Sequence, residues 1–169
     1  MAKEILKFIF LFIILTLCQV VVFNHICLFG VAVPLVFIYF IIKLPVTLGV
    51  NWAMTVSFLL GLTVDLFSNT QGMNALACTI LSVCQVPVLN LYLPRQDDLG
   101  NPEPSIRTLG AAVFMKYAVT MTLIYCTLFF LIEAFAFFNV IDLILKIAGS
   151  SALTFVIVMA IDGLTASRR

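Results

Sequence analysis

The sequence predicts an all-α fold: a polytopic membrane helix bundle of about six transmembrane helices with both termini cytoplasmic. Three observations predict it. First, 63% of the 169 residues are apolar and only 10% are charged, against about 25% charged in an ordinary soluble domain. A soluble fold of this length would lack the polar side chains to coat its surface, so its solvent is mostly lipid. Second, no Asp, Glu, Lys or Arg occurs within 8–42, 44–64 or 66–94. An apolar helix of about 20 residues crosses the hydrocarbon core, so each gap holds at least one span. The first holds two, because Asn24, His25 and Gly30 interrupt it. Third, the basic residues gather on the loops of one face.

The first span covers about 5–23 and contains no Gly, Ala or Pro. Lys3 and Lys7 before the long apolar stretch form a signal-like opening, but no small-x-small cleavage site follows, so the first helix reads as an uncleaved anchor. The second covers about 31–44, with Pro34 near its start and Pro45 at its end. From Pro34 to Leu44 a helix rises only about 16 Å, about half the hydrocarbon thickness. Either this helix begins before Pro34 and kinks there, or it is short and buried among its neighbours. A re-entrant segment would move every later loop to the other side, against the charge count. The third span, about 50–67, opens on Asn51 and Trp52. The fourth, about 73–93, contains Pro87. The fifth covers about 109–132 and the sixth about 144–164. Between the fourth and fifth lies the one sizeable polar stretch, 94–107, with Arg95, Asp97, Asp98, Gly100, Pro102, Glu103 and Pro104. It is a turn-rich loop too short for a domain, so residues 1–169 form a single integral membrane domain.

Orientation follows from Lys and Arg near the span ends. With six spans, one face receives the N-terminus, the second and fourth loops and the C-terminus. These carry Lys3, Lys7, Lys43, Arg95, Arg107, Arg168 and Arg169, and Lys116 reaches the same face by snorkelling. Eight of the 9 basic residues thus share a face, leaving Lys146 alone on the other. The basic face is cytoplasmic.

Asp65 is the most informative residue. Trp52 marks the cytoplasmic interface, and Asp65 lies about 20 Å further along the third helix. Charges within a span are costly and tend to be functional. Asp65 is therefore either a buried contact, within the bundle or to a partner helix, or an interfacial carboxylate beside Ser68, Asn69, Thr70 and Gln71. Gly61, one turn earlier on the same face, permits close helix approach and favours packing. Asp142 and Lys146 have the spacing of an interfacial ion pair. Gly149, Ser150, Ser151 and Ala152 form a small-residue packing patch. Gln85, Pro87 and Asn90 predict interhelical hydrogen bonds around a proline kink, or one wall of a ligand cavity. Glu133 and Asp162 read as interfacial.

Other chemistry finds no footing. Cys18, Cys27, Cys78, Cys84 and Cys126 form no Cys-x-x-Cys pair, and His25 is the sole histidine, so neither a metal site nor any cofactor is expected. A net charge of +1 without a basic cluster gives no reason to expect nucleic acid. There is no Ser/His/Asp set and no glycine-rich phosphate loop, so an enzyme is not expected.

A short N-terminus, six spans, a proline opening the second helix and a third helix ending in Gly61-Leu62-Thr63-Val64-Asp65, followed by Gly72 and Asn74-Ala75-Leu76, resemble the rod shape-determining protein MreD family. The resemblance runs over nearly the whole chain, although the long polar loop 94–107 departs from the family's usual pattern. It implies a non-enzymatic membrane scaffold of the bacterial elongation machinery in the cytoplasmic membrane. Its implied partners are an MreC-like single-span protein, the actin-like MreB, the glycan polymerase RodA and a penicillin-binding transpeptidase. Candidate packing or partner contacts are Pro34, Gly61, Asp65, Gly72 and Gly149. A competing expectation is the substrate-binding membrane subunit of a vitamin-type transporter. Such subunits typically dock through small residues spaced four apart on the first helix, which this first helix lacks.

Overall fold

The computed structural model describes residues 2–23, 33–70, 72–93, 103–134 and 140–167, and the regular structure in them is all helical. The helices are α1 (Ala2–Val21), α2 (Ile38–Ile42), α3 (Val50–Ser68), α4 (Met73–Tyr92), α5 (Ile106–Leu109), α6 (Ala111–Ala134) and α7 (Val140–Ser167). Four of them, α3, α4, α6 and α7, are long and apolar enough to cross a membrane. The apolar part of α1, Leu6–Val21, is shorter and rises about 24 Å.

Polar contacts between distant residues fix the direction of each helix. Lys7 on α1 pairs with Glu103, 2.7 Å from Nζ to Oε1. Asp162, late in α7, pairs with Lys43 and accepts from the Ile106 amide. These residues mark one end of the bundle. At the other end Lys146, early in α7, forms a salt bridge of 3.2 Å with Glu133, late in α6. Hence α1, α3 and α6 run away from the Lys7 end, and α4 and α7 return to it. Lys146, expected to pair with Asp142 along its own helix, reaches Glu133 across the α6–α7 connection. Both side chains are about half-exposed, so this pair contributes at most about 1 kcal/mol.

The second predicted span differs most from expectation. Among its described residues only Ile38–Ile42 is α-helical, a rise of about 7.5 Å. Residues 33–35 are non-helical, while 31 and 32 lie outside the described residues. Of the two forms expected of this segment, the described part takes the short, buried one. Phe37, Ile38, Ile41 and Ile42 are fully buried, enclosed by α1, α4, α6 and α7. The fifth span also differs, because Gly110 separates α5 from α6 with φ 79° and ψ 151°, a conformation essentially reserved for glycine. The sixth helix begins at Val140, one turn earlier than expected.

The α3–α4 hairpin is the tightest joint. Asn69 (φ 55°) and Gly72 (φ 77°) take left-handed backbone to reverse the chain. A Cβ on Gly61 would lie 2.5 Å from Ala75 Cα and from the Asn74 carbonyl oxygen, so the two backbones touch where only hydrogen fits. On the lipid side Leu6, Phe10, Trp52, Leu66, Leu91, Ile141 and Leu164 are exposed, the ordinary state of apolar side chains whose solvent is lipid.

Gly61→Ala should therefore push α3 from α4 and cost about 1–3 kcal/mol, as overpacking of a rigid contact does. Unfolding in mixed micelles checks it. Unchanged stability would show that the helices do not meet there.

Candidate functional site

Among the described residues, three polar groups inside the bundle carry most of the buried side-chain hydrogen bonding, and each is built around backbone that no helix satisfies. The first surrounds residues 33–44. Pro34 has no N–H and disfavours helix in the residue before it, so the chain enters the bundle extended. Within a bilayer such backbone persists only where protein groups satisfy it. Val33 N donates to Ser150 Oγ (3.0 Å) and Leu35 N to Thr154 Oγ1 (3.0 Å). Val36 N donates to Gln19 Oε1 (2.9 Å), and Gln19 Nε2 donates to the Pro34 carbonyl (3.0 Å).

The register has a simple origin. Two residues of extended chain advance about 6.6 Å, and four residues of helix advance about 6 Å. Ser150 and Thr154 on one face of α7 therefore match Val33 and Leu35 one to one. Where the segment leaves the bundle, Gln85 Nε2 donates to the Leu44 carbonyl (2.8 Å) and Tyr117 Oη to the Ile42 carbonyl (3.3 Å). Those are carbonyls that the end of α2 leaves without helical partners. Ser150, in the small-residue patch, is fully buried where it takes the Val33 amide. Gln85, expected to bond near the Pro87 kink, bonds the central segment.

The second group is Asp65. It is 4% exposed and is a buried contact within the bundle. Gly72 caps α4 without a side chain, so the first amides of α4 need an acceptor from elsewhere. Asp65 supplies it from α3: Oδ2 accepts from Ala75 N (2.8 Å) and Oδ1 from Asn74 N (3.1 Å). Asn74 Nδ2 (2.8 Å) and Thr70 Oγ1 (2.5 Å) also donate to Oδ1. A carboxylate at a helix N-terminus also meets the positive end of its dipole. Tyr125 Oη donates to Asn74 Oδ1 (2.6 Å) and packs edge-on against Phe37. The joint thereby extends through α6 to the central segment.

The third group lies at the Lys7 end. Lys43 and Asp162 are 8% and 1% exposed and 2.5 Å apart. Tyr39 Oη donates to Asp162 Oδ1 (2.8 Å), and Ile106 N to Oδ2 (2.9 Å). Lys43 Nζ also lies 5.7 Å from the ring centres of Tyr39 and Phe114. Asp162, expected to be interfacial, is instead buried, because it must serve α2, α5 and Lys43 at once.

Of the residues singled out in the sequence, Gly61, Asp65 and Gly72 converge on the α3–α4 joint. Pro34 lies in the central segment and Gly149 precedes Ser150 on α7, and Tyr125 packed on Phe37 links the joint to that segment. Sequence reasoning missed Gln19, Thr154, Tyr125 and the Lys43–Asp162 pair. Gln19 had a signal, being the one amide in α1; the others follow from tertiary placement. Among the described residues no group of three or more His, Cys, Asp and Glu converges. His25 and Cys27 lie outside the described residues.

Gln19→Leu should strand one buried donor and one buried acceptor, and the loss should be about 2–6 kcal/mol at about 1–3 per group. Asp65→Ala should remove the acceptor of two helix-opening amides and lower stability by at least about 2 kcal/mol. Tyr125→Phe should cost about 1 kcal/mol. Equilibrium unfolding of the purified variants checks all three, and the order Gln19, Asp65 above Tyr125 is the expected result.

Comparison of the chain with protein-family models, with curated proteins and with solved structures returns no match.

Proposed function

We propose that this chain is a non-enzymatic membrane scaffold of a bacterial rod-shape (elongation) complex, as the resemblance to the MreD family implies. It crosses the cytoplasmic membrane six times with both termini inside. The second crossing is the segment of about 31–44, of which the structure describes 33–44. Val33 lies level with Ser150 and Lys43 level with Asp162, twelve residues apart on α7, or about 18 Å along the helix axis. The Lys7 end faces the cytoplasm, in keeping with the distribution of Lys and Arg.

The observation that carries the reading is the use of the interior charges. Asp65, Lys43 and Asp162 are bonded to the chain's own backbone and side chains. Intramembrane ionisable groups are by default candidates for transport or catalysis; here they hold the helices in place. What remains for other molecules is the lipid-facing helix surface and the loop tips. Through these the protein would bind an MreC-like single-span protein, and with it MreB, RodA and a penicillin-binding transpeptidase, directing lateral wall synthesis and cell shape.

The transporter-subunit reading would place a deep polar cavity between the first and last helices. That space holds residues 33–36, whose backbone takes up Gln19, Ser150 and Thr154. This occupancy favours the scaffold.

Purification from native membranes in mild detergent should recover a single-span protein with a large periplasmic part in near-stoichiometric amount. Depletion of the chain should round the cells. Copurification of a small molecule instead, or substrate uptake by the reconstituted protein, would overturn the scaffold. Asp65→Leu should lose complex and fold together, so complex formation by a stably folded Asp65→Leu protein would contradict the structural role given to that residue.

A further inference from the structure

The lipid-facing surface of the α3–α4 hairpin is short. On α3 the exposed apolar side chains run from Trp52 through Phe58 and Leu59 to Leu66 and Phe67, and that stretch rises about 22 Å. Val50, beyond the exposed Asn51, is exposed as well and extends the band to about 26 Å at most. On α4 the exposed apolar side chains run from Leu76 through Ile80 and Val83 to Leu91, again about 22 Å. Polar and turn residues close the band at both ends. Gly49, Asn51 and Asn90 are exposed at one end, and Asn69, Thr70 and Gly72 reverse the chain at the other. A common bilayer has a hydrocarbon layer of about 30 Å, so the hairpin falls short by roughly 4–8 Å. Tilting would only deepen the shortfall.

A short span is accommodated by snorkelling of long flanking side chains, by oligomerising, or by thinning of the bilayer around it. Snorkelling has little to work with, because no Lys or Arg occurs between Lys43 and Arg95. Lys43 is itself buried against Asp162. The reversal and the start of α3 therefore have no long cationic side chain to reach the headgroups. The hairpin cannot lengthen by sliding either. Gly61 holds the two backbones in contact, and Asp65 ties the end of α3 to the first amides of α4. Nor does this face suit a second helix. It is covered by Trp52, Phe58, Leu59, Leu66 and Phe67, whereas close helix pairs in lipid are built on small residues.

We infer that the α3–α4 edge is a lipid-contact surface selective for short acyl chains, along which the bilayer is thinned. The opposite case stands on α7. There exposed apolar side chains run from Ile141 to Leu164, about 34 Å, with Asp142 and the Glu133–Lys146 pair among them. That length meets an ordinary bilayer. The selectivity accordingly belongs to one side of the bundle. The inference requires only that the chain is embedded in lipid. It does not depend on the scaffold reading, and its test needs no partner.

The test is quenching of tryptophan fluorescence by lipids brominated in their acyl chains. Trp52 is the chain's sole tryptophan and is 69% exposed on this edge, so the unaltered protein reports directly. A Trp52→Phe, Leu59→Trp variant moves the reporter to the middle of the band, and a Trp52→Phe, Val156→Trp variant moves it to the exposed face of α7. Each protein is reconstituted in equimolar mixtures of fourteen-carbon and eighteen-carbon phosphatidylcholine, with one or the other brominated. The short-chain lipid should be favoured roughly two- to fivefold at Trp52 and at Leu59→Trp, as a modest cost per ångström of mismatch implies. At Val156→Trp the two lipids should quench about equally. Equal quenching, or a preference for the longer chain, at Trp52 and Leu59→Trp would overturn the inference. So would the same short-chain preference at Val156→Trp, since the selectivity would then not belong to this edge.

Discussion

The structure depends on one constraint: a stretch of backbone that is not helical lies inside a bundle whose solvent is lipid. Residues 33–36 cannot satisfy their own amides, and no water is at hand to do it. Each donor left unmade there would cost about 1–3 kcal/mol. The chain meets this with side chains placed at matching height on α1 and α7. Gln19 serves both a donor and an acceptor, and Ser150 and Thr154 each take one amide. The polar residues of these apolar helices are therefore substitutes for the hydrogen bonds of a missing helix.

The same logic recurs at the other two polar groups. Asp65 takes the place of a capping side chain that Gly72 cannot provide. Asp162 accepts the amide that opens α5 while balancing the charge of Lys43. A buried ion pair is a weak source of stability when the desolvation of both charges is counted. Its more dependable effect is geometric, because removing one partner leaves the other buried alone. The Lys43–Asp162 pair accordingly fixes how the central segment, α5 and α7 meet. The proposed scaffold role rests on this use of the interior charges, which leaves the outer helix surfaces and loop tips for partners.

Much of this was legible in the sequence, for identifiable reasons. Lipid solvation follows from composition, α3 and α4 follow from nearly charge-free stretches of helical length, and α6 and α7 follow from apolar stretches whose charges lie toward their ends. The α3–α4 joint was legible because Gly61 and Asp65 are four apart and so share a face. The second segment was half legible: Pro34 and Pro45 bracket too few residues for a full crossing, but which alternative holds depends on partners up to 123 positions away. Asp162 misled because a carboxylate beside terminal arginines looks solvated, and only the return of residues 43 and 106 to its side buries it. Ser150 looked like material for helix packing because small hydroxyl residues serve both purposes.

The most direct test is the backbone state of Val33, Leu35 and Val36 in the folded protein in lipid. Carbon chemical shifts combined with amide exchange measure it. The account predicts extended-type Cα shifts at Val33 and Leu35, with exchange as slow as in the long helices although no backbone carbonyl accepts these amides. Helical shifts running unbroken through Pro34, or rapid exchange at these amides, would contradict it.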